Sequence, residues 1–265
     1  MTTLHIIVLA IVQGITEFLP ISSSGHLVLV PSIFGWSDQG MAFDVAVHFG
    51  SLLAVLVYFR EDVARLIFGA SEVLRGRLDT QTSRAAFGIG LATIPAAVAG
   101  LLLAGWISAN LRSPAVVVAT LAGYAVLMWA ADHFGRKSRS YSDITIRDAF
   151  LIGCAQALAL VPGTSRSGAT ITAGLALGLK RADAARFSFL LAVPVILLAA
   201  GYETFTLVRS DLPVDWASMA LGAGVAAIVA YVSIEFFMRF VNRVGLLPFA
   251  LYRLVLAGVL LYAVV

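Results

Sequence analysis

The chain has 265 residues, of which 60% are hydrophobic and only 12% charged, with a mean hydropathy of +0.94. That composition excludes a soluble globule and predicts an integral membrane protein. The formal charge of +3 would suit nucleic acid in a soluble domain, but in a membrane protein a basic excess marks cytoplasmic loops, so no nucleic-acid partner is expected. Cys154, the single cysteine, excludes an internal disulfide and sits among apolar residues as a packing group. The N-terminus lacks the basic region and cleavage site of a signal peptide, so the first apolar stretch is expected to persist in the mature chain.

In chain order, the first element is an apolar limb over residues 4–19, broken at Pro20 and followed by Ser22-Ser23-Ser24-Gly25-His26 and a second limb over 24–34. About a dozen helical residues cover roughly 18 Å, too little to cross a bilayer core of about 30 Å. Three long apolar stretches follow, at 41–59, 86–107 and 114–131, with the longest loop between Arg60 and Arg84. The pattern then repeats. A limb over 150–161 leads to Pro162-Gly163-Thr164-Ser165-Arg166-Ser167-Gly168 and a short limb over 167–179, then stretches at 187–206, 216–238 and 248–265. Gln13 and Gln156 open the two copies, and each runs Gln, then Pro, then Ser-x-Ser-Gly, with twelve residues from Gln to the closing Gly in both. Paired breaks in apolar helices point to a binding site formed between repeats.

Basic residues decide how the limbs lie. If both broken segments are re-entrant hairpins, 14 basic loop residues fall on one side and 2, Arg112 and Arg209, on the other. If the leading limbs cross instead, the split is 10 to 6. The positive-inside rule favours the first arrangement. The expected fold is therefore an all-α polytopic membrane protein of two inverted repeats, each one re-entrant helical hairpin plus three transmembrane helices, giving six full spans. Repeat one covers about residues 1–134 and repeat two about 147–265, within a single membrane domain. Three crossings per half invert the second copy, so the hairpins enter from opposite sides and meet near the midplane, hairpin one from outside.

Glu17 and Arg166 at bilayer depth each need a partner, and each can serve the other. A helix start at the serine cluster offers free N–H groups to an anion, and so does the start at Gly163, Thr164 and Ser165, where Arg166 adds a planar fork of donors. Ser23 and His26 share a helix face at i and i+3. A hydroxyl beside a histidine and a carboxylate adds phosphoryl-transfer chemistry to a phosphate cradle. Isolated Ser, Glu or Arg residues in membrane helices more often serve helix packing or ion pairs, but their concentration in the two hairpins favours a site. Asp44 and His48, also i and i+4, read as a structural pair ahead of a substrate contact, and Arg253, Glu203 and Glu235 divide evenly between the two uses. Gly88, Gly90, Gly100, Gly222 and Gly224 permit close helix packing or a homodimer contact.

The stretches 13–26, 162–170, 187–194 and 248–253 together resemble the bacterial undecaprenyl-pyrophosphate phosphatase family, known also for bacitracin resistance, and the resemblance spans the chain. It implies removal of the terminal phosphate from undecaprenyl pyrophosphate, a polyprenyl lipid substrate, in the bacterial inner membrane with the site facing the periplasm. Carried onto this sequence, Ser23 is the nucleophile, His26 the proton-transfer partner or alternative nucleophile, Glu17 an essential acid and Arg166 the phosphate clamp. Ser22, Ser24, Gly25, Thr164, Ser165, Ser167, Gly168 and Thr170 are the expected phosphate contacts. The family often has a glutamate where this chain has Gln13. A divalent cation, Mg²⁺ or Ca²⁺, is expected, with Glu17 the better ligand and Gln13, which brings no charge, the poorer. The lipid tail requires a lateral opening between helices.

Two other readings use the same features. An inverted-repeat transporter or flippase for an anionic lipid or small anion would bind with Glu17 and Arg166 and cleave nothing. The phosphatidic-acid type of membrane phosphatase also carries Ser-Gly-His and Ser-Arg elements, but its Lys-x₆-Arg-Pro and His-x₃-Asp patterns do not occur here.

Overall fold

A computed structural model describes residues 1–37, 39–209 and 215–264. Eleven α-helices account for most of them, and among the described residues the only β pairing is an isolated bridge between Arg139 and Leu179. The two expected broken segments become α1 (Thr3–Thr16) with α2 (Ser23–Phe34), and α7 (Ile146–Leu158) with α8 (Arg166–Ala176). The long apolar stretches become α3 (Met41–Tyr58), α5 (Gln81–Asn110), α6 (Pro114–Phe134), α9 (Arg181–Arg209), α10 (Trp216–Val244) and α11 (Leu247–Val264). Val265, the end of the expected last span, lies outside the described residues.

By length and hydropathy, α5, α6, α9 and α10 can each cross a membrane among the described residues. α3 and α4 (Arg60–Leu74) give a fifth if taken as one bent span, with 89° between them. This is a multi-pass membrane protein. The loop expected between Arg60 and Arg84 is largely helical, which corrects the sequence reading. Its residues Arg60, Glu61, Asp62 and Arg65 broke the apolar run, but α4 needs only one apolar face.

The turn that returns α4 to α5 is held by hydrogen bonds. The hydroxyls of Thr82 (2.6 Å) and Thr80 (2.7 Å) both donate to Glu72 Oε2 and hold that carboxyl below the usual range, and the Thr80 hydroxyl caps α5 by accepting from the Ser83 N–H. At the other connection, Thr145 and Asp148 form a reciprocal capping box at the start of α7, and Arg139 donates to the same carboxylate.

Packing relates the two halves. α1, the first hairpin limb, lies on α10, and α7, the second, lies on α5, so each leading limb rests on the second long helix of the opposite half. Small residues make these contacts close. A Cβ at Gly14 would strike Val229 and the Ala226 carbonyl, and one at Gly153 would strike the backbone of Ala92. Gly50 meets Ala223 in the same way where α3 crosses α10, and Gly222 receives the Phe43 ring. Gly90, Gly100 and Gly224, expected to serve packing or a dimer, have no neighbour within 4 Å of a built Cβ. The main core, including Phe18, Phe59, Phe189 and Phe237, lies behind the hairpin turns.

Candidate active site

Both hairpin turns use the same backbone device. Ser22 and Ser165, at corresponding places in the repeat, are the N-cap residues of α2 and α8, and both adopt positive φ, 75° and 71°. A serine in that region is strained, and here the strain recurs in both copies of the motif. Each serine also lies beside the next hydroxyl but one, Ser22 with Ser24 at 3.4 Å and Ser165 with Ser167 at 3.3 Å.

The two tips meet. The Arg166 guanidinium donates to Glu17 Oε1 at 3.0 Å and to the Ser188 carbonyl at 3.2 Å, with its charge 5.6 Å from the centre of the Phe18 ring. The Ser167 hydroxyl donates to the Leu19 carbonyl at 3.1 Å. Arg253, fully buried on α11, supplies the main fastening. It donates to the carbonyls of Pro20 in hairpin one, of Gly163 (2.9 Å) and Thr164 (3.0 Å) in hairpin two, and of Thr120 and Leu121 on α6. One cation thus satisfies carbonyls that the broken helices leave without intrahelical partners. Of the two uses open to Arg253 on sequence, the structure shows the structural one, directed at backbone. Glu235 likewise pairs along its own helix with Arg239.

Glu17 gathers the polar groups. Its Oε2 accepts from the Ser23 hydroxyl at 2.8 Å and from Gln13 Nε2 at 3.1 Å, while His48 Nε2 stands 3.7 Å away. Ser23, Glu17 and Arg166 therefore form one connected set, as the hairpin argument anticipates. His26 does not join it through Ser23. Its Nδ1 lies 2.7 Å from the Ser22 carbonyl, and its Nε2 lies 2.6 Å from the Tyr252 hydroxyl. The i, i+3 spacing put both side chains on one face, but the His26 ring turns back to the carbonyl four residues before it, that of Ser22, and Ser23 goes to Glu17.

The remaining expected contacts divide. Ser24 is exposed and Ser23 and Gly25 half-buried at the mouth of hairpin one. Thr164, Ser165, Ser167 and Thr170 are buried. Thr170 donates to the Arg166 carbonyl and shares a 2.6 Å contact with Ser188, Ser165 caps Gly168, and the Thr164 hydroxyl is unpartnered. His48, read on sequence as pairing with Asp44, has Nδ1 2.7 Å from the Asp44 backbone carbonyl and Nε2 3.7 Å from Glu17, while the Asp44 carboxylate accepts from Gln39. Tyr252 was missed, although it sits beside Arg253 inside a stretch that carried the family resemblance.

The profile described as Bacitracin resistance protein BacA matches residues 6–259. A protein of Teredinibacter turnerae named undecaprenyl-diphosphatase is 51% identical over 265 residues, the full length of both chains. One of Stutzerimonas stutzeri named undecaprenyl-diphosphatase 2 is 52% identical over 264 residues, and one of Alcanivorax borkumensis named undecaprenyl-diphosphatase is 51% identical over 256, covering 98% and 97% of each chain. Matched over nearly all of its length, with its motif residues gathered at the meeting of the two hairpins, the chain belongs to the bacitracin resistance protein BacA family.

Proposed function

We propose that this protein is an undecaprenyl-diphosphatase, hydrolysing undecaprenyl pyrophosphate to undecaprenyl phosphate and inorganic phosphate, and that Ser23 is its nucleophile. The observation that carries the assignment is the 2.8 Å hydrogen bond from Ser23 to Glu17, whose other oxygen accepts from Arg166. A hydroxyl donating to a carboxylate is poised to lose its proton as it attacks. In the reaction, the Ser23 O–H bond breaks and its proton passes to Glu17 Oε2. Oγ bonds to the terminal phosphorus, and the bridging P–O bond breaks with its electron pair leaving on the lipid phosphate. Arg166, held by Glu17 and the Ser188 carbonyl, meets the charge that develops on the phosphoryl oxygens. Water then attacks the phosphoserine, its proton passing to His26, while the P–Oγ bond breaks and Ser23 Oγ recovers the proton held on Glu17.

The residues fit a divalent cation in a limited way. Gln13 Oε1 is buried and unpartnered, an oxygen suited to a hard cation beside Glu17, although Arg166 already neutralises that carboxylate. Gln13 and Glu17 would hold the ion, completed by substrate oxygens. It would supply charge neutralisation of the pyrophosphate.

The fold completes the proposal as six spans and two re-entrant hairpins in inverted repeats. Support comes from α2 and α8, at 12 and 11 residues too short to cross, and from the reciprocal seating of α1 on α10 and α7 on α5. Hairpin one opens to the periplasm and the basic loops to the cytoplasm. Purified protein in detergent releases inorganic phosphate from undecaprenyl pyrophosphate on this reading. Folded protein that binds the lipid but releases no phosphate would refute it.

A further inference from the structure

His26 and Tyr252 form a contact that the reaction above leaves unexplained. A backbone carbonyl can only accept a hydrogen bond, so the 2.7 Å contact to Ser22 requires the proton of a neutral His26 on Nδ1. Nε2 then carries the lone pair, and the Tyr252 hydroxyl, 2.6 Å away, donates to it. The two rings also stack, with centroids 5.6 Å apart and planes within 9°. His26 is 7% exposed and Tyr252 43%, so the phenol covers the one basic nitrogen of an otherwise enclosed ring.

We propose that Tyr252 is a positioning residue that locks His26 in the Nδ1–H tautomer and holds its basic nitrogen, Nε2, on the Tyr252 hydroxyl, while Ser23 stays on Glu17. Ser23 cannot use His26 as its base in this arrangement, which leaves Glu17 as the proton acceptor. The role differs from that of the neighbouring Arg253, whose hydrogen bonds go to backbone carbonyls.

The inference rests on His26 acting in proton transfer, and its test separates the two ideas. Tyr252→Phe keeps the ring and removes only the hydroxyl. In nitrogen-15 spectra of histidine-labelled protein in detergent, the His26 signals, identified by their loss in His26→Gln, are expected to report the Nδ1–H tautomer in the parent and to gain an Nε2–H population in Tyr252→Phe. The same variant is expected to lower kcat about tenfold to a hundredfold with KM changed less than about twofold, and to add no further loss in the His26→Gln background. An unchanged tautomer, an unchanged kcat, a raised KM at constant kcat, or an equal loss in the His26→Gln background would each overturn the positioning role. Full activity of His26→Gln with the tautomer shift intact would instead refute the proton-transfer reading and leave the lock standing.

Discussion

A serine hydroxyl is a poor nucleophile until a neighbouring group accepts its proton, and Ser23 has one such neighbour, Glu17 Oε2. Ser23→Ala should therefore lower kcat by at least about 10³-fold, and Glu17→Gln by about 10²- to 10⁴-fold, measured as phosphate release by protein whose folding is verified by thermal unfolding. Arg166→Lys keeps the charge but loses the fork that reaches Glu17 and Ser188 together, and a loss of about 10²-fold is expected, mostly in kcat. These residues were legible in the sequence because charge and hydroxyl density stand out against an apolar background. Their pairing was less so. Helical spacing put His26 beside Ser23, whereas the partners they take, Tyr252 for His26 and Glu17 for Ser23, lie outside that helix. His48 shows the same limit, since its spacing points to Asp44 but gives no sign of Glu17, which its Nε2 faces.

Among the elements, the hairpin tips depend on Arg253. Arg253→Met leaves the carbonyls of Pro20, Gly163 and Thr164 at the two tips without their donor, and at about 1–3 kcal/mol for each buried group left unpaired it should lower the unfolding temperature well beyond the effect of Arg166→Lys. A small change in unfolding temperature with full activity would remove Arg253 from the framework. The α4–α5 turn gives a test by pH. Because the Thr82 and Thr80 hydroxyls depress the Glu72 carboxyl, its contribution to stability is full above the ordinary glutamate range, near 4.3, and fades as pH falls through the lowered value of the folded state. The stability difference between the parent and Glu72→Gln should be constant near neutrality and close only in acid; a difference that vanishes near neutral pH would contradict it. Hairpin limbs and long helices were readable from apolar runs and Pro breaks to within a few residues. α4 was not, because a helix that needs only one apolar face can have the charge density of a loop.

Across the whole molecule, the two similar broken segments of the sequence carry different groups at their tips. Hairpin one retains Glu17, Ser23 and His26, and hairpin two contributes Arg166 and a set of buried hydroxyls engaged largely in holding the tip. The sequence repeat marked the two broken segments, but contacts between distant parts of the chain, such as α1 on α10 and Tyr252 on His26, join residues about 200 positions or more apart and had no local signal. Orientation is testable in cells. With Cys154 replaced, a cysteine introduced at Arg209 should react with an impermeant reagent added from outside, and one at Arg139 should not; the reverse pattern would invert the proposed topology. The central claim, that Ser23 takes the phosphoryl group, is tested most directly by rapid quenching of the enzyme with undecaprenyl pyrophosphate labelled in its terminal phosphate. The label should appear transiently on Ser23 and be absent from Ser23→Ala. Label on His26, or normal turnover by folded Ser23→Ala, would contradict it.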